Sequence, residues 1–356
     1  MKKALSDIFA STRPFRTVLA IVVLLFALFA VWQPGFRTVL NVQNVLASIS
    51  ILWIVAMGMT FVLVSGGFDL SVGAIAALCG IFLGKVLEAH LLPGPVAVAA
   101  TIIVGAVLGG LLNGLFVAVF RLSVFVVTLA SMTALTGIVL IWTNTQSIYV
   151  TNPVVNQISI SRLLGVQTPI YIMIVVFAIF LYVQRRTYFG RDIYATGGSY
   201  TAARLSGVRT ERTLIMVYAV AGACAGLAGA IAVGRVGAAV PQVDPGLALQ
   251  AVAAVLIGGT ALTGGAGSVV GTAFGCLFIG ILQNGLNMVG VASSWQYVVT
   301  GIILLASVLG GRVGGHRGGM LTGLKRALGF RSSPPADSCA VEPVEDAASG
   351  GGESDR

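Results

Sequence analysis

The sequence predicts an all-α integral membrane protein, a polytopic bundle of about ten transmembrane helices with glycine-broken helices near its centre. Three observations carry this. Only 9% of the 356 residues are charged, where a soluble domain carries about a quarter, and 57% are hydrophobic. Apolar runs recur at close to the roughly 20 residues that cross a ~30 Å hydrocarbon core. Glycine is used 46 times and gathers in two dense stretches, as where helices approach closely or break inside a bilayer.

The chain opens with a basic segment, 1–16, that feeds an apolar run, Val18 to Trp32. This run lacks a small-x-small cleavage site and ends in Gln33-Pro34-Gly35, so it reads as a retained first span rather than a removed leader. Apolar periodicity and length then place spans at 17–33, 45–65, 70–87, 95–119, 123–143, 168–184, 213–233, 247–264, 268–290 and 295–311, with nine or eleven crossings also compatible. Together they form one membrane domain, 17–312, followed by a basic segment, 313–331, and an acidic tail, 332–356. That tail holds Asp337, Glu342, Glu345, Asp346, Glu353 and Asp355 and almost nothing apolar, which predicts disorder.

With the N-terminus inside, the inner segments collect Lys2, Lys3, Arg13, Arg16, Arg121, Arg185, Arg186, Arg191, Arg204, Arg209, Arg212, Arg312, Arg317, Lys325, Arg326 and Arg331. The outer segments keep Arg37, Lys85, Arg162 and Arg235. This asymmetry predicts cytoplasmic termini and explains the net charge of +9 without a nucleic-acid partner. Cys79, Cys224 and Cys276 lie in apolar runs and Cys339 in the tail, with no CxxC or disulfide pattern. No metal site is expected.

Four stretches carry polar chemistry. In Ser65-Gly66-Gly67-Phe68-Asp69-Leu70-Ser71-Val72-Gly73, glycines end one run, and an acid with a serine opens the next. Asp69 suits an N-cap, and a helix broken here by Gly66 and Gly67 would also turn polar backbone, with Ser71 and Gly73, toward a central pathway. A second break, Gly258-Gly259-Thr260-Ala261-Leu262-Thr263-Gly264-Gly265-Ala266-Gly267-Ser268, echoes the first. Gln283, Asn284 and Asn287 share one span, the two asparagines a helical turn apart; they fit interhelical bonds or the lining of a path for a hydroxylated solute. Of the two long connections, 144–167 and 185–212, the second contains Ser199-Tyr200-Thr201-Ala202-Ala203-Arg204-Leu205-Ser206-Gly207. It reads as a short helix capped by Ser199 and stopped by Gly207, too short to stand alone in water.

Taken together, GGFDLSVGA, GRDIYATGGSYTAARLSGV and AVAAVLIGGTALTGGAGSVVGTAFG resemble, in that order, the permeases of bacterial ribose-type ABC sugar importers. The likeness runs to about residue 312 and departs at Phe68, where isoleucine is usual, and at Ser199, where asparagine is. It implies a permease dimer, of two copies or of this chain and a related permease, in the bacterial inner membrane. ATP-binding subunits would sit inside, holding the ATP and Mg, and a soluble solute-binding protein outside. On this likeness Gly198, Ser199, Ala202, Ala203, Arg204, Leu205 and Gly207 would contact the ATPase, the solute would be sugar-like, and no residue would be catalytic. The chain itself has no GxxxxGK[ST] loop. An ion-coupled secondary transporter is the alternative, and it would need ionisable residues within the spans, where almost none occur. An intramembrane enzyme would need acid–base pairs or an HExxH that are equally absent.

Overall fold

The computed structural model describes residues 13–241 and 246–315. The chain divides into two units, Met1–Gly311 and Arg312–Arg356, and the description below concerns the first. The expectations for the extreme N-terminus, the basic segment from 316 and the acidic tail lie outside the described residues.

Each of the ten apolar segments contains a helix. These are α1 (Arg13–Trp32), α2 (Val39–Val64), α3 (Val72–Glu88), α4 (Gly94–Leu108) with its continuation to Ala118, α5 (Val124–Thr143), α7 (Thr168–Arg186), α10 (Thr210–Val236), α11 (Leu247–Ile257), α12 (Val269–Met288) and α13 (Ser293–Gly315). Between α5 and α7 lie a two-residue strand β1 (Ile148–Tyr149), the helix α6 (Pro153–Ser159) and a hairpin of β2 (Arg162–Leu163) with β3 (Val166–Gln167). Between α7 and α10 lie α8 (Tyr188–Gly198) and α9 (Tyr200–Leu205). Among the described residues six helices are long and apolar enough to cross a membrane: α2, α4 with its continuation, α5, α7, α10 and α12.

The bundle is organised around α10, which packs against α2, α3 and α4. Small residues make this possible. Gly105 and Gly109 of α4 face Gly222 and Gly226 of α10 so closely that an added Cβ at any of the four would meet the backbone of the other helix. Two glycine pairs, each four residues apart, are the pattern that lets helices approach in a bilayer. From Leu52 onward α2 is buried all round, as a central helix should be, whereas α4, α5 and α7 keep apolar residues such as Ile103, Phe125 and Ile174 on the outside, where lipid is the natural neighbour.

The ends of α3 mark the two ends of the bundle. Its first turn lies at the first glycine break. Its far end, about 25 Å away at 1.5 Å per residue, brings Gly84 against Ile148 and Ala239. There β1 pairs antiparallel with β4 (Ala238–Ala239), Ile148 opposite Ala239 and Tyr149 opposite Ala238, tying the 144–167 connection to the end of α10.

Three expectations need correction. The segment 247–264 is not one continuous span: α11 stops at Ile257, and the two glycines that follow it lead into irregular backbone as far as Ser268. Eleven residues rise about 16 Å, roughly half of a hydrocarbon core. The 95–119 span carries a π-helical turn, Gly109–Leu115, in its second half. The 185–212 connection holds two helices, of which only the second was expected; Thr187 caps the first by accepting from Gly190 N–H at 3.1 Å.

Candidate functional site

Two polar regions stand out, one at the start of α3 and one where α2 begins and α12 ends. The first surrounds the break after α2. Gly66 there has φ +82°, a left-handed conformation that glycine adopts without penalty, and its N–H closes the helix on Leu63 O. Asp69 is fully buried. It does not cap α3 in the expected way, because α3 begins at Val72 and its N-cap is Ser71, whose side chain caps nothing. Asp69 Oδ1 instead accepts from Ser71 N–H at 2.8 Å and Ser71 Oγ at 2.7 Å, shaping the turn that leads into the helix.

Asn113, carried inward on the π turn of α4, completes this cluster. Its Nδ2 donates to Ser71 Oγ at 2.7 Å and reaches Asp69 Oδ2 at 3.3 Å. Tyr218 of α10, also fully buried, donates from its hydroxyl to Phe68 O at 3.3 Å. Gly67 makes room for it: a Cβ there would sit 2.8 Å from the Tyr218 oxygen. Gly73 is a half-buried residue of the first turn of α3. The break is thus held by side chains from α4 and α10, and a carboxylate with several hydrogen-bond donors satisfies the rule that buried charge must be bonded.

The second break folds back onto the first. Gly265 N–H donates to Val64 O, the last residue of α2, at 2.8 Å. Gly264, with φ +84°, lies with its would-be Cβ position 2.7 Å from Gly66 Cα and 2.9 Å from Gly197 O. Gly197 belongs to α8, so three chain segments meet backbone to backbone, and any side chain at Gly197 would collide with Val64 O. Alongside, Tyr194 of α8 donates to Gly267 O at 2.6 Å, Gln184 of α7 bonds the Tyr194 hydroxyl, and Gln184 Oε1 accepts from Val269 N–H at 3.2 Å. The α7–α8 corner therefore grips both glycine breaks.

From this corner α9 projects. Ser199 caps it, Oγ accepting from Ala202 N–H at 3.3 Å. Gly207, at φ +85°, closes it in a Schellman arrangement: Gly207 N–H bonds Arg204 O at 3.1 Å and Val208 N–H bonds Ala203 O at 3.0 Å. The side chains divide into two faces. Ala203 is buried against its own chain, so a larger side chain there would strike this bundle first. Gly198, Ser199, Ala202, Arg204 and Leu205 are exposed, Leu205 by 84%. Glu211, in the first turn of α10, holds the helix through Arg204 at 3.5 Å and the Tyr200 hydroxyl at 3.3 Å.

The other region lies toward the opposite end, where the start of α2 meets the end of α12. Asn284 Oδ1 accepts from Asn41 Nδ2 at 3.0 Å, and Asn287 Oδ1 from Gln296 Nε2 at 2.6 Å. Gln283 donates to Gln250 of α11 at 3.2 Å, and Gln167 to Asn44 at 3.1 Å. These pairs border two adjoining cavities of about 350 and 370 Å³, which share Ser48, Arg235 and Gln283 in their walls. Asn284 and Asn287 both line the second, and both are also bonded to other helices.

Asn113, Tyr218, Arg235 and Gln250 were not singled out in the sequence. A signal existed for Asn113, a lone amide in a long apolar run, which is costly in a membrane unless paired. None existed for Tyr218, since tyrosine is unremarkable in an apolar helix.

The family described as "Branched-chain amino acid transport system / permease component" matches residues 41–308. Among similar proteins are the ribose import permease RbsC of Escherichia coli K12, 40% identical over 83% of this chain and 92% of its own length, and RbsC of Bacillus subtilis, 39% identical over 79% and 87%. The autoinducer 2 import permease LsrC of Escherichia coli is 36% identical over 82% of this chain and 84% of its own. No solved structure matches.

Proposed function

The chain belongs to the permease family of ribose-type ABC importers, and from that premise we propose that it carries a sugar or sugar-like solute across the bacterial inner membrane while a separate subunit hydrolyses ATP. Ten crossings with cytoplasmic termini fit the ten helices and the distribution of Lys and Arg. The α7–α8–α9 corner then lies inside and the amide-lined cavities toward the outside. A soluble binding protein delivers solute to that outer end, a second permease completes the membrane part, and the two adjoining cavities, the second bordered by Asn284 and Asn287, form part of the path. No observation favours ion coupling.

The observation that carries this reading is the placement of α9 on a corner whose other contacts are the two glycine breaks. A push on the exposed face, Ala202, Arg204 and Leu205, passes through Glu211 to α10 and through Gly197 and Tyr194 to both breaks. ATP-driven motion of a docked partner would in this way rock the central helices around the path.

Leu205→Glu tests it. With the side chain already in solvent, the substitution should leave insertion and yield unchanged, while co-purification with the ATPase and ATP-dependent uptake fall together by tenfold or more. Normal uptake with the ATPase still bound would make α9 a mere connector. Orientation is checked separately by a cysteine at Ser199 in a chain freed of its own cysteines. Labelling by an impermeant reagent applied outside intact cells would refute the topology.

A further inference from the structure

Resting on the importer reading, we infer that Arg235 is the specificity-determining donor of a solute subsite for a neutral, cyclic, polyhydroxylated molecule, and that it takes adjacent oxygens of one edge of that molecule. Arg235 lies in the wall shared by both cavities, beside Gln283, and with Gln250 in the wall of the first. Its Nη1 donates to Ala47 O at 3.1 Å and Ser48 O at 3.2 Å, two carbonyls of α2. Neither ion pair among the described residues involves it. A guanidinium carries five N–H donors in a rigid fork and no acceptor. With one nitrogen anchored on backbone, Nη2 and Nε remain to meet acceptor oxygens side by side, as neighbouring hydroxyls or a hydroxyl and a ring oxygen present them.

The amides set the rest of the ligand's chemistry. A primary amide offers two donors and two acceptor positions, and each amide–amide bond uses only one of each. Among the described residues, Asn284 and Asn287 spend only Oδ1 on their amide pairs and Gln283 only Nε2, which leaves the Nδ2 groups of the two asparagines and the Oε1 of Gln283 for hydroxyls, which donate and accept alike. An anionic group would also fit the guanidinium fork, but as an acceptor alone it gains nothing from the amide oxygens, to which a hydroxyl donates. Cavities of about 350 and 370 Å³ suit a single small ring.

The test uses cells that express this chain with its ATPase and binding protein and lack other sugar uptake. They are offered the neutral aldopentoses and aldohexoses, D-ribose first, then the monodeoxy analogues and the aldonate of whichever sugar enters. Arg235→Gln should lower uptake of the parent sugar at least about tenfold, as loss of a charge-assisted hydrogen bond implies. Uptake of the one analogue lacking the recognised hydroxyl should stay as in the wild type, so that discrimination collapses at a single ring position. The binding protein is the same in both strains, so its own selectivity cancels.

An equal fall for every analogue would make Arg235 only a tether between α10 and α2 and overturn the inference. So would unchanged uptake, or wild-type import of the aldonate in preference to the sugar; in each case the importer reading stands. Failure of the wild type to import any of the sugars would remove the sugar reading and this inference with it. If the Gln protein does not accumulate, Arg235→Lys, which keeps the charge but presents no fork, carries the same readout.

Discussion

The two ends of this bundle are built on opposite principles. Where α8 meets the glycine breaks, backbone touches backbone: a side chain at Gly197, Gly264 or Gly265 would collide with the backbone of Val64, Gly66 or Gly198. Toward the other end, the contacts are amide to amide, between long side chains that border open space. Backbone contacts have one arrangement and transmit displacement without slack, as a close-packed interior does. Amide pairs can exchange one partner for another at little cost, which suits a surface that a solute must enter and leave. Stiffness sits where force arrives, and adaptability where cargo passes.

The contrast can be broken most sharply at Gly197. Gly197→Ala should destabilise the bundle by about 3 kcal/mol, the upper end for overpacking, and cut the yield of folded protein from membranes; a wild-type melting temperature would mean that the junction is slack. Next in size, Asp69→Ala removes the acceptor for Ser71 and Asn113 and should cost about 1–3 kcal/mol, whereas Asp69→Asn keeps an acceptor and most transport. A double-mutant cycle of Asp69 with Asn113 should show coupling beyond ~0.5 kcal/mol, and additivity would dissolve the cluster into separate parts. Ser199→Ala should cost about 1 kcal/mol, confined to α9 and seen as faster hydrogen exchange there, and Ser199→Asn should restore it. The smallest effect on stability is expected at Asn284→Ala, under about 1 kcal/mol, yet with slower uptake. A large loss of stability at Asn284 would show the amide end to be as rigid as the other.

Much of the stiff end was legible in advance. Ser199 and Gly207 announce a capped helix because capping depends on residues within one turn, and the two glycine clusters announce broken helices for the same local reason. That the clusters meet each other at Gly197 was not legible, since nothing local links residues 66, 197 and 264. That Ala203 faces its own chain was not legible either, since a small side chain says that something is close, not on which side. Asp69 was placed one role away from its own, because choosing between a cap and a pre-helical turn depends on where the first helical residue falls, which sequence gives only to within a few positions. At the amide end Asn284 and Asn287 were visible as polar residues in an apolar span. Their partners lie on other helices, Asn41 at the far end of the sequence from Asn284 and Gln296 just past the turn after Asn287, and emerge only when the helices are assembled.

The π turn at Gly109–Leu115 bears on how such a chain can change over generations. A π turn holds one residue more than an α turn, and one residue in an α-helix corresponds to about 100° of rotation. Everything after Leu115, including the stacked and exposed Phe116 and Phe120, is thus rotated about the helix axis from where an unbroken helix would present it. Removing one residue there would relax the turn, withdraw Asn113 from Asp69 and swing that aromatic pair away from its present face. A single-residue deletion, usually tolerated in loops and ruinous in helices, would here yield a regular helix and a different protein.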